Sequence, residues 1–452
     1  MVKKKTVYIC NECGAKFPTW AGKCSTCGAW GSIVEEKEEN FNKRKSFSVG
    51  DTARAVSLSQ TLEETLLERI KTNILTLDEA FGGGVVKGQV ILLSGEPGIG
   101  KSTLLLQVAY QIAKQGSKVL YITGEESSSQ VYIRGKRINA ISENIFILAD
   151  TNLENVLTNI EQLNPDFVIL DSVQTVYSSE LESSAGSVSQ VREVSARLTE
   201  IAKQKNIPVI LIGQVTKEGN IAGPKVLEHI VDTVAHFEGE RGNAYRVLKI
   251  VKNRFGSAGE IAVFNMTSKG LEEVKDPSSF FLSEKPQGKS GSIIFPYTEG
   301  SKPVLVEIQA LVSKTVYAVP QRKAQGIDIN KLSIITAILE KELNIFLKDR
   351  DIFVNVVGGM QIKEPAVDLP LALAIISSFY DKPIDNIASF GELGLTGEVR
   401  SVYYTDLRIK ECEKFKVKKL VIPKSVEEYQ PSFVKVSSLK EAVVKVFNEK
   451  NF

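Results

Sequence analysis

The sequence predicts an α/β protein whose central domain is built on a mainly parallel sheet, with a small metal-binding module before it and an α+β domain after it. Three observations predict this. Strand-like and helix-like segments alternate from about Leu58 to Val274. A glycine-rich loop stands between one such strand and the helix that follows it. Two Cys-x-x-Cys pairs of identical spacing lie within the first thirty residues.

The chain of 452 residues is long enough for two or three domains, each with its own core. It is 43% hydrophobic and 24% charged, the composition of a globular protein rather than a disordered one. A formal net charge of +2 excludes a globally basic nucleic-acid coat but leaves room for a local basic groove. Lys3-Lys4-Lys5 runs into Cys10 without the apolar stretch of a secretion signal. The longest nearly apolar run, Leu369 to Ile376, is too short to span a bilayer and contains Pro370. The expectation is a soluble, cytoplasmic protein with no membrane partner.

Cys10-x-x-Cys13 and Cys24-x-x-Cys27 form two knuckles, each followed by glycine (Gly14 and Gly28). In a chain without a secretion signal this spacing predicts a tetrahedral Cys₄ zinc site rather than two disulfides, with iron as the competing metal. Four sulfur ligands close the shell, so the site is structural. Trp20 and Trp30 interleave with the lysines of this module; they could stack on bases, but packing within the module is the favoured reading. The module is placed at residues 1–30 and a linker at 31–57, where Glu35 to Lys45 mixes charges with few apolar residues. Cys412 stands alone in a charged segment and is read as a lone thiol.

Residues 58–274 are assigned to the central domain. Its predicted strands are Val90–Ser94, Lys118–Thr123, Phe167–Leu170 and Val209–Ile212. After the first comes Gly95-Glu96-Pro97-Gly98-Ile99-Gly100-Lys101-Ser102-Thr103, which satisfies G-x-x-x-x-G-K-[ST]. Its glycines let backbone N–H groups surround phosphates, Lys101 reaches the β/γ-phosphates, and the Ser102 hydroxyl ligates Mg²⁺. The helix that starts there, expected to end near Gly116, adds its dipole. Asp171 ends the apolar run Phe167–Leu170 and is placed to hold Mg²⁺ through water. Glu125 and Glu126 follow the second strand, at the sheet edge where such folds bind ligands, and one of them orients the attacking water. Gln214, just past the fourth strand, offers a neutral amide able to sense the γ-phosphate. Lys252-Asn253-Arg254-Phe255-Gly256 follows a strand-like run, so Lys252 and Arg254 share one side of an extended chain, a pairing suited to a phosphate.

Gly82-Gly83-Gly84, the loop at Gly95–Ser102, Glu125, Asp171 and Gln214 together resemble RecA-type ATPases. With the cysteine knuckles and the Lys252–Gly256 pentapeptide, the whole chain resembles the RadA (Sms) family of bacterial DNA-repair proteins. That resemblance implies ATP as cofactor beside Mg²⁺ and Zn²⁺, Glu125 as the water-activating group and Gln214 as the phosphate sensor. It implies Lys252 and Arg254 as fingers acting on a neighbouring subunit's γ-phosphate. It also implies a homo-oligomer, expected to be a hexamer, working on single-stranded DNA and branched recombination intermediates beside RecA. In RecA-like assemblies the loops after the third and fourth core strands line the DNA path. Here these are about Tyr177–Gln190, Ser- and Gly-rich and expected to be mobile, and Thr216–Lys225, where Lys217 and Lys225 are candidate phosphate contacts.

Residues 275–292, rich in Pro, Ser, Gly and Lys, are read as a second linker. From 293 to 452 the chain resembles the proteolytic domain of Lon-type proteases, through Val304–Val312 and Gly391–Val399. Such proteases use a Ser–Lys dyad. Alignment puts Asp368 at the serine and Asp406 near the lysine, with Lys410 as a stray candidate, so proteolysis is not expected. By the family resemblance this domain is an oligomerisation and DNA-binding scaffold, in which Arg322 and Lys323, placed in a polar loop, are candidate DNA contacts. The expected function is a DNA-dependent ATPase or helicase driving branch migration in recombinational repair. An ATP-switched binding or signalling protein and an ATP-dependent protease are the alternatives.

Overall fold

A computed structural model describes residues 5–10, 15–26, 28–38, 68–214, 226–239, 245–299, 302–317, 319–428 and 430–447. The chain divides into two compact units. The first comprises Met1–Glu238, Leu248–Ala258 and Met266–Glu273; the second comprises Gly239–Val247, Gly259–Asn265 and Val274–Phe452.

The first unit begins with a three-stranded sheet of order β2-β1-β3, from β1 (Lys5–Cys10), β2 (Lys16–Phe17) and β3 (Ile33–Glu38). The register pairs Cys10 with Ile33 and Lys5 with Glu38, so this module runs beyond the expected boundary at residue 30. The charged run Ile33-Val34-Glu35-Glu36-Lys37-Glu38 has little apolar content, yet pairing with β1 satisfies its backbone.

Next come β4 (Arg69–Ile70), α1 (Leu75–Ala80), β5 (Val85–Val86), β6 (Val90–Gly95), α2 (Lys101–Ala113), β7 (Val119–Thr123) and α3 (Ser128–Arg137). They are followed by β8 (Ile145–Ala149), α4 (Leu153–Leu163), β9 (Phe167–Asp171), α5 (Val188–Lys205), β10 (Val209–Gln214) and α6 (Val226–Ile230). Then β11 (Thr233–Glu238), β12 (Tyr245–Asn253), β13 (Ile261–Thr267) and β14 (Gly270–Glu273) complete a nine-stranded sheet. Its order is β14-β13-β12-β11-β6-β10-β9-β7-β8. The run from β11 to β8 is parallel throughout. Every residue of β6, β7 and β9 is buried, which explains their continuous apolar sequences: helices cover both faces of a parallel sheet. The four predicted strands are all present, and the predicted helix ends at Ala113, close to Gly116 with φ 90°.

The second unit contains α7 (Pro277–Leu282), β15 (Ser292–Glu299), β16 (Lys302–Lys314), β17 (Arg322–Gln325), α8 (Ile329–Leu343), β18 (Arg350–Val356) and α9 (Asp368–Phe379). It continues with β19 (Ile387–Ser389), β20 (Glu392–Leu393), β21 (Val399–Arg400), α10 (Thr405–Lys414), β22 (Lys419–Pro423), β23 (Phe433–Val436) and α11 (Leu439–Phe447). A seven-stranded mixed sheet, β17-β18-β16-β15-β19-β22-β23, packs against α9, in which Leu369 to Ile376 are buried. A helix apolar all round belongs in a core, and Pro370 sits in its first turn where no helical hydrogen bond is lost.

The expected linker at 275–292 is not one. Asp276 caps α7 by accepting from Ser279 N, Pro277 occupies its first turn, and Phe281 is buried in the core of the second unit. Ser278 is buried too; its hydroxyl accepts from Leu305 N (2.9 Å) and donates to Glu411 (2.6 Å). Val247, Ile261, Val263 and Val274 belong to that same core, so the unit starts well before residue 293. Composition alone hid this, because one amphipathic turn buries only two side chains.

Candidate nucleotide site

The loop at Gly95–Thr103 leaves β6 at its carboxyl end and enters α2. Two of its glycines are constrained, Gly95 by a backbone clash and Gly100 chiefly by its φ of 114°, since the methionine end near it could move. A Cβ at Gly95 would lie 2.5 Å from the Phe237 carbonyl oxygen, and one at Gly100 would lie 2.7 Å from Met266 Cε. Gly100, with φ 114°, is the N-cap of α2 and brings no side chain to its first turn, so the first N–H groups stay available to an anion. Ile99 is buried and anchors the loop, while Glu96, Pro97 and Gly98 are exposed. Lys101 is buried and its ammonium donates to the carbonyls of Gly95 (2.7 Å) and Glu96 (2.8 Å). Burial lowers its pKa, against the opposing pull of Asp171, Glu125 and Glu96.

Asp171 ends β9 and is buried. Desolvation raises its pKa, while hydrogen bonds from Ser102 and Tyr121 oppose that rise. The structure thus joins Ser102 to Asp171, two hard oxygen donors suited to Mg²⁺. It also separates the two glutamates. Glu126 pairs with Arg134. Glu125 is exposed, and its Oε1 accepts from Ser172 Oγ (2.6 Å) and Gln214 Nε2 (2.8 Å). Glu125, Asp171, Lys101 and Gln214 therefore gather at one edge of the sheet. Sequence reasoning missed Ser172 and Tyr121; the adjacency of Ser172 to Asp171 was the available signal for the first.

Lys252 and Arg254 lie elsewhere. Asp232 N donates to Val90 O (3.0 Å) and Arg254 N to Asp232 O (3.2 Å), so the pentapeptide sits at the start of β6, the edge opposite the loop. The two cations are close enough to affect each other, as expected from their spacing, yet they differ. Lys252 donates to the carbonyls of Glu228 and Val231 (2.7 Å to the latter). Arg254 is 57% exposed and lies 3.6 Å from Asp232, whose other oxygen is taken by Lys203 (2.6 Å) and Val90 N (3.0 Å). Arg69, also missed, clamps this edge by donating to the carbonyls of Gly84 (3.0 Å) and Phe255 (2.6 Å). The Gly82–Gly84 run thus packs beside the pentapeptide, and a Cβ at Gly82 would lie 3.4 Å from Gly256 Cα.

Among the expected metal ligands, Cys10 and Cys24 are wholly buried beside Ile33; Cys13 and Cys27 lie outside the described residues. The first cysteine of each knuckle makes the same backbone bond, Cys10 N to Ala15 O (3.0 Å) and Cys24 N to Ala29 O (2.8 Å), which fits a shared metal. The tryptophans pack within the module only in part: Trp20 is 62% exposed but its indole N–H donates to Ile33 O (3.0 Å), and Trp30 is 77% exposed with the Lys23 ammonium over its ring.

The loop at 177–190, expected to be mobile, is tied down. Glu154 accepts from Ser178 and Ser179, and the buried Gln190 amide bonds Ser178 and Ser183. Lys217 and Lys225, with residues 215–225, lie outside the described residues. Arg322 and Lys323 are not in a loop but in β17, the edge strand of its sheet. Arg322 is turned inward and donates to the carbonyls of Arg350 and Leu347 (2.9 Å to the latter); Lys323 is exposed over Phe353. Where a serine was expected, the buried Asp368 pairs with Lys331 (2.6 Å), while Asp406 and Lys410 are exposed on α10. Cys412 is a buried free thiol whose pKa burial pushes up.

Residues 56–220 match the family described as AAA domain, residues 8–35 the rubredoxin metal binding domain, and residues 318–426 the subunit ChlI of Mg-chelatase. The DNA repair protein RadA of Aquifex aeolicus is 54% identical over 455 residues, covering 99% of this chain and 100% of that one. The DNA repair proteins RadA of Listeria monocytogenes and Bacillus subtilis are 48% and 47% identical, each covering 94% of this chain and 93% of their own.

Proposed function

The chain belongs to the RadA family of DNA repair proteins, and from that premise we infer that it is a DNA-dependent ATPase motor whose nucleotide site is completed by a second copy of itself. The observation that carries this reading is the position of Arg254. It leaves the sheet level with Val90, whereas the phosphate loop begins at Gly95, five residues further at ~3.3 Å each, or about 17 Å away. No side chain of the same chain spans that gap. If Arg254 meets a nucleotide's phosphates, they therefore belong to a neighbouring copy.

In this reading ATP lies on the loop at Gly95–Thr103. Ser102 and Asp171 would hold Mg²⁺, which would supply charge neutralisation of the phosphates. Lys101 exchanges its bonds to the Gly95 and Glu96 carbonyls for phosphate oxygens. Glu125, held through Oε1 by Ser172 and Gln214, accepts the proton of the attacking water. Gln214 touches Glu125 and begins the segment leading to Lys217 and Lys225, so one amide links the γ-phosphate, the base and the DNA path. Arg254 enters from the next subunit and offsets charge in the transition state. Lys252, engaged by the Glu228 and Val231 carbonyls, shapes that edge. The finer reading is a hexameric ring that moves on single-stranded DNA in the cytoplasm, drives branch migration of recombination intermediates beside RecA, and carries a structural Zn²⁺ on its four cysteines. The second unit is a DNA-binding and assembly scaffold without protease activity, because Asp368 is committed to Lys331.

The test is ATP-driven extension of a three-stranded recombination substrate by wild type and Lys101→Ala. Equal extension by both sinks the motor. A hydrolysis rate indifferent to single-stranded DNA would instead favour an ATP-switched binding protein.

A further inference from the structure

The geometry points to Tyr121 as a positioning residue that fixes Asp171 for the magnesium ion, an inference that rests on the nucleotide-site reading above. Tyr121 lies in β7, the hydrogen-bonded neighbour of β9, with Thr123 opposite Asp171 and Tyr121 opposite Ile169. Its side chain is completely buried, and its phenol donates to Asp171 Oδ2 at 2.8 Å. The same carboxylate is reached by the Ser102 hydroxyl. Asp171 is thus held from its own sheet by a rigid ring and from α2 by the hydroxyl that would share its metal.

This placement matters because a carboxylate at the end of a strand can rotate about its terminal torsion. A ligand that must meet a metal-bound water in one orientation loses affinity if it turns. Tyr121 removes that freedom: its ring is packed on all sides, so its hydroxyl cannot follow Asp171 elsewhere. Its donation engages one oxygen and leaves acceptor capacity for the metal's water shell. A phenylalanine at this position would fill the core equally well. The hydroxyl is therefore present for the carboxylate rather than for packing.

The experiment uses full-length Tyr121→Phe, which keeps the ring. ADP binding is first measured in excess chelator, where no metal contributes. The thermal stability of ADP-saturated protein is then followed as Mg²⁺ is titrated in, each protein against its own metal-free baseline, with Ser102→Ala as the scale for a lost direct ligand. The expected result is unchanged ADP affinity in chelator and a Mg²⁺ midpoint raised about tenfold, in the range seen when groups supporting metal ligands are removed. The rate of ATP hydrolysis should approach wild type at high Mg²⁺. Coincident Mg²⁺ midpoints would make Tyr121 an ordinary core tyrosine and overturn the proposal. So would a loss of ADP affinity in chelator, which would mean a role in pocket shape. Should wild type itself show no Mg²⁺-dependent stabilisation, the underlying nucleotide-site reading fails as well.

Discussion

Two inactive variants should restore each other. Arg254→Ala leaves the phosphate loop intact and removes the proposed finger; Lys101→Ala does the reverse. Arg254 gives up little to reach a neighbour, because its contact with the buried Asp232 is long at 3.6 Å and Asp232 keeps Lys203 (2.6 Å) and Val90 N (3.0 Å) as closer partners. A cation placed on a phosphoryl transition state is worth ~10³-fold in rate, roughly 4 kcal/mol, so the exchange is strongly favourable. Each variant alone should therefore hydrolyse ATP ~10³-fold more slowly than wild type, with Arg254→Ala retaining nucleotide binding. In a ring assembled at random from equal amounts of both, about one interface in four pairs an intact loop with an intact arginine. Steady-state ATP hydrolysis of the mixture should then return to about a quarter of the wild-type rate. No recovery after verified co-assembly would show that the two residues do not share a site across subunits. Full activity of Arg254→Ala alone would show that the arginine is not used.

Four further outcomes follow from the same structure. Glu125→Gln should lower the hydrolysis rate by ~10²-fold or more with nucleotide binding kept, whereas Glu126→Gln, which loosens only Arg134, should act mainly on the melting temperature. Arg408 is 1% exposed, pairs with Glu364 and lies between Phe295 and Phe390; Arg408→Met leaves Glu364 the bond from Thr298 N and should cost about 1–3 kcal/mol in denaturant unfolding. Lys323→Ala should leave stability alone and reduce the salt dependence of DNA binding by about one unit of slope, while Arg322→Ala, losing its carbonyl partners, should destabilise by about 1–3 kcal/mol. Burial depresses the pKa of Lys101, so the unfolded state binds more protons than the folded one between the depressed value and the usual ~10.4. The stability contributed by this residue rises with pH across that window, and the difference between wild type and Lys101→Met in nucleotide-free unfolding should grow accordingly. A difference that is flat with pH contradicts the assignment.

Much of the nucleotide site was legible in the sequence because its parts are local. The loop is constrained by backbone sterics over eight consecutive residues, and Asp171 and Gln214 end apolar runs long enough to be recognised as buried strands. A metal-binding module at the start of the chain was legible too, since metal ligation fixes spacing, and residues 8–35 match a rubredoxin metal binding domain. What the sequence left open was any choice decided by partners distant in the chain. Glu125 and Glu126 are adjacent and chemically alike. Only the approach of Ser172 and Gln214 to one, and of Arg134 to the other, separates them. Lys252 and Arg254 carry like charges two residues apart, but only the first meets the carbonyls at the end of α6. Arg322 read as a surface cation until the carbonyls of Leu347 and Arg350 were brought beneath it. Pro277–Leu282 read as a linker, because burying Phe281 needs a core assembled from strands far along the chain.

The sequence by itself determined that a nucleoside triphosphate is bound on a parallel sheet, since covalent geometry and strand burial leave those residues little alternative. Only the tertiary structure decided which carboxylate is held by Ser172 and Gln214, which cation stays largely exposed, and that this cation stands at the edge of the sheet away from its own phosphate loop. Those choices depend on pairing across the fold, where a residue's neighbours in space are not its neighbours in the chain.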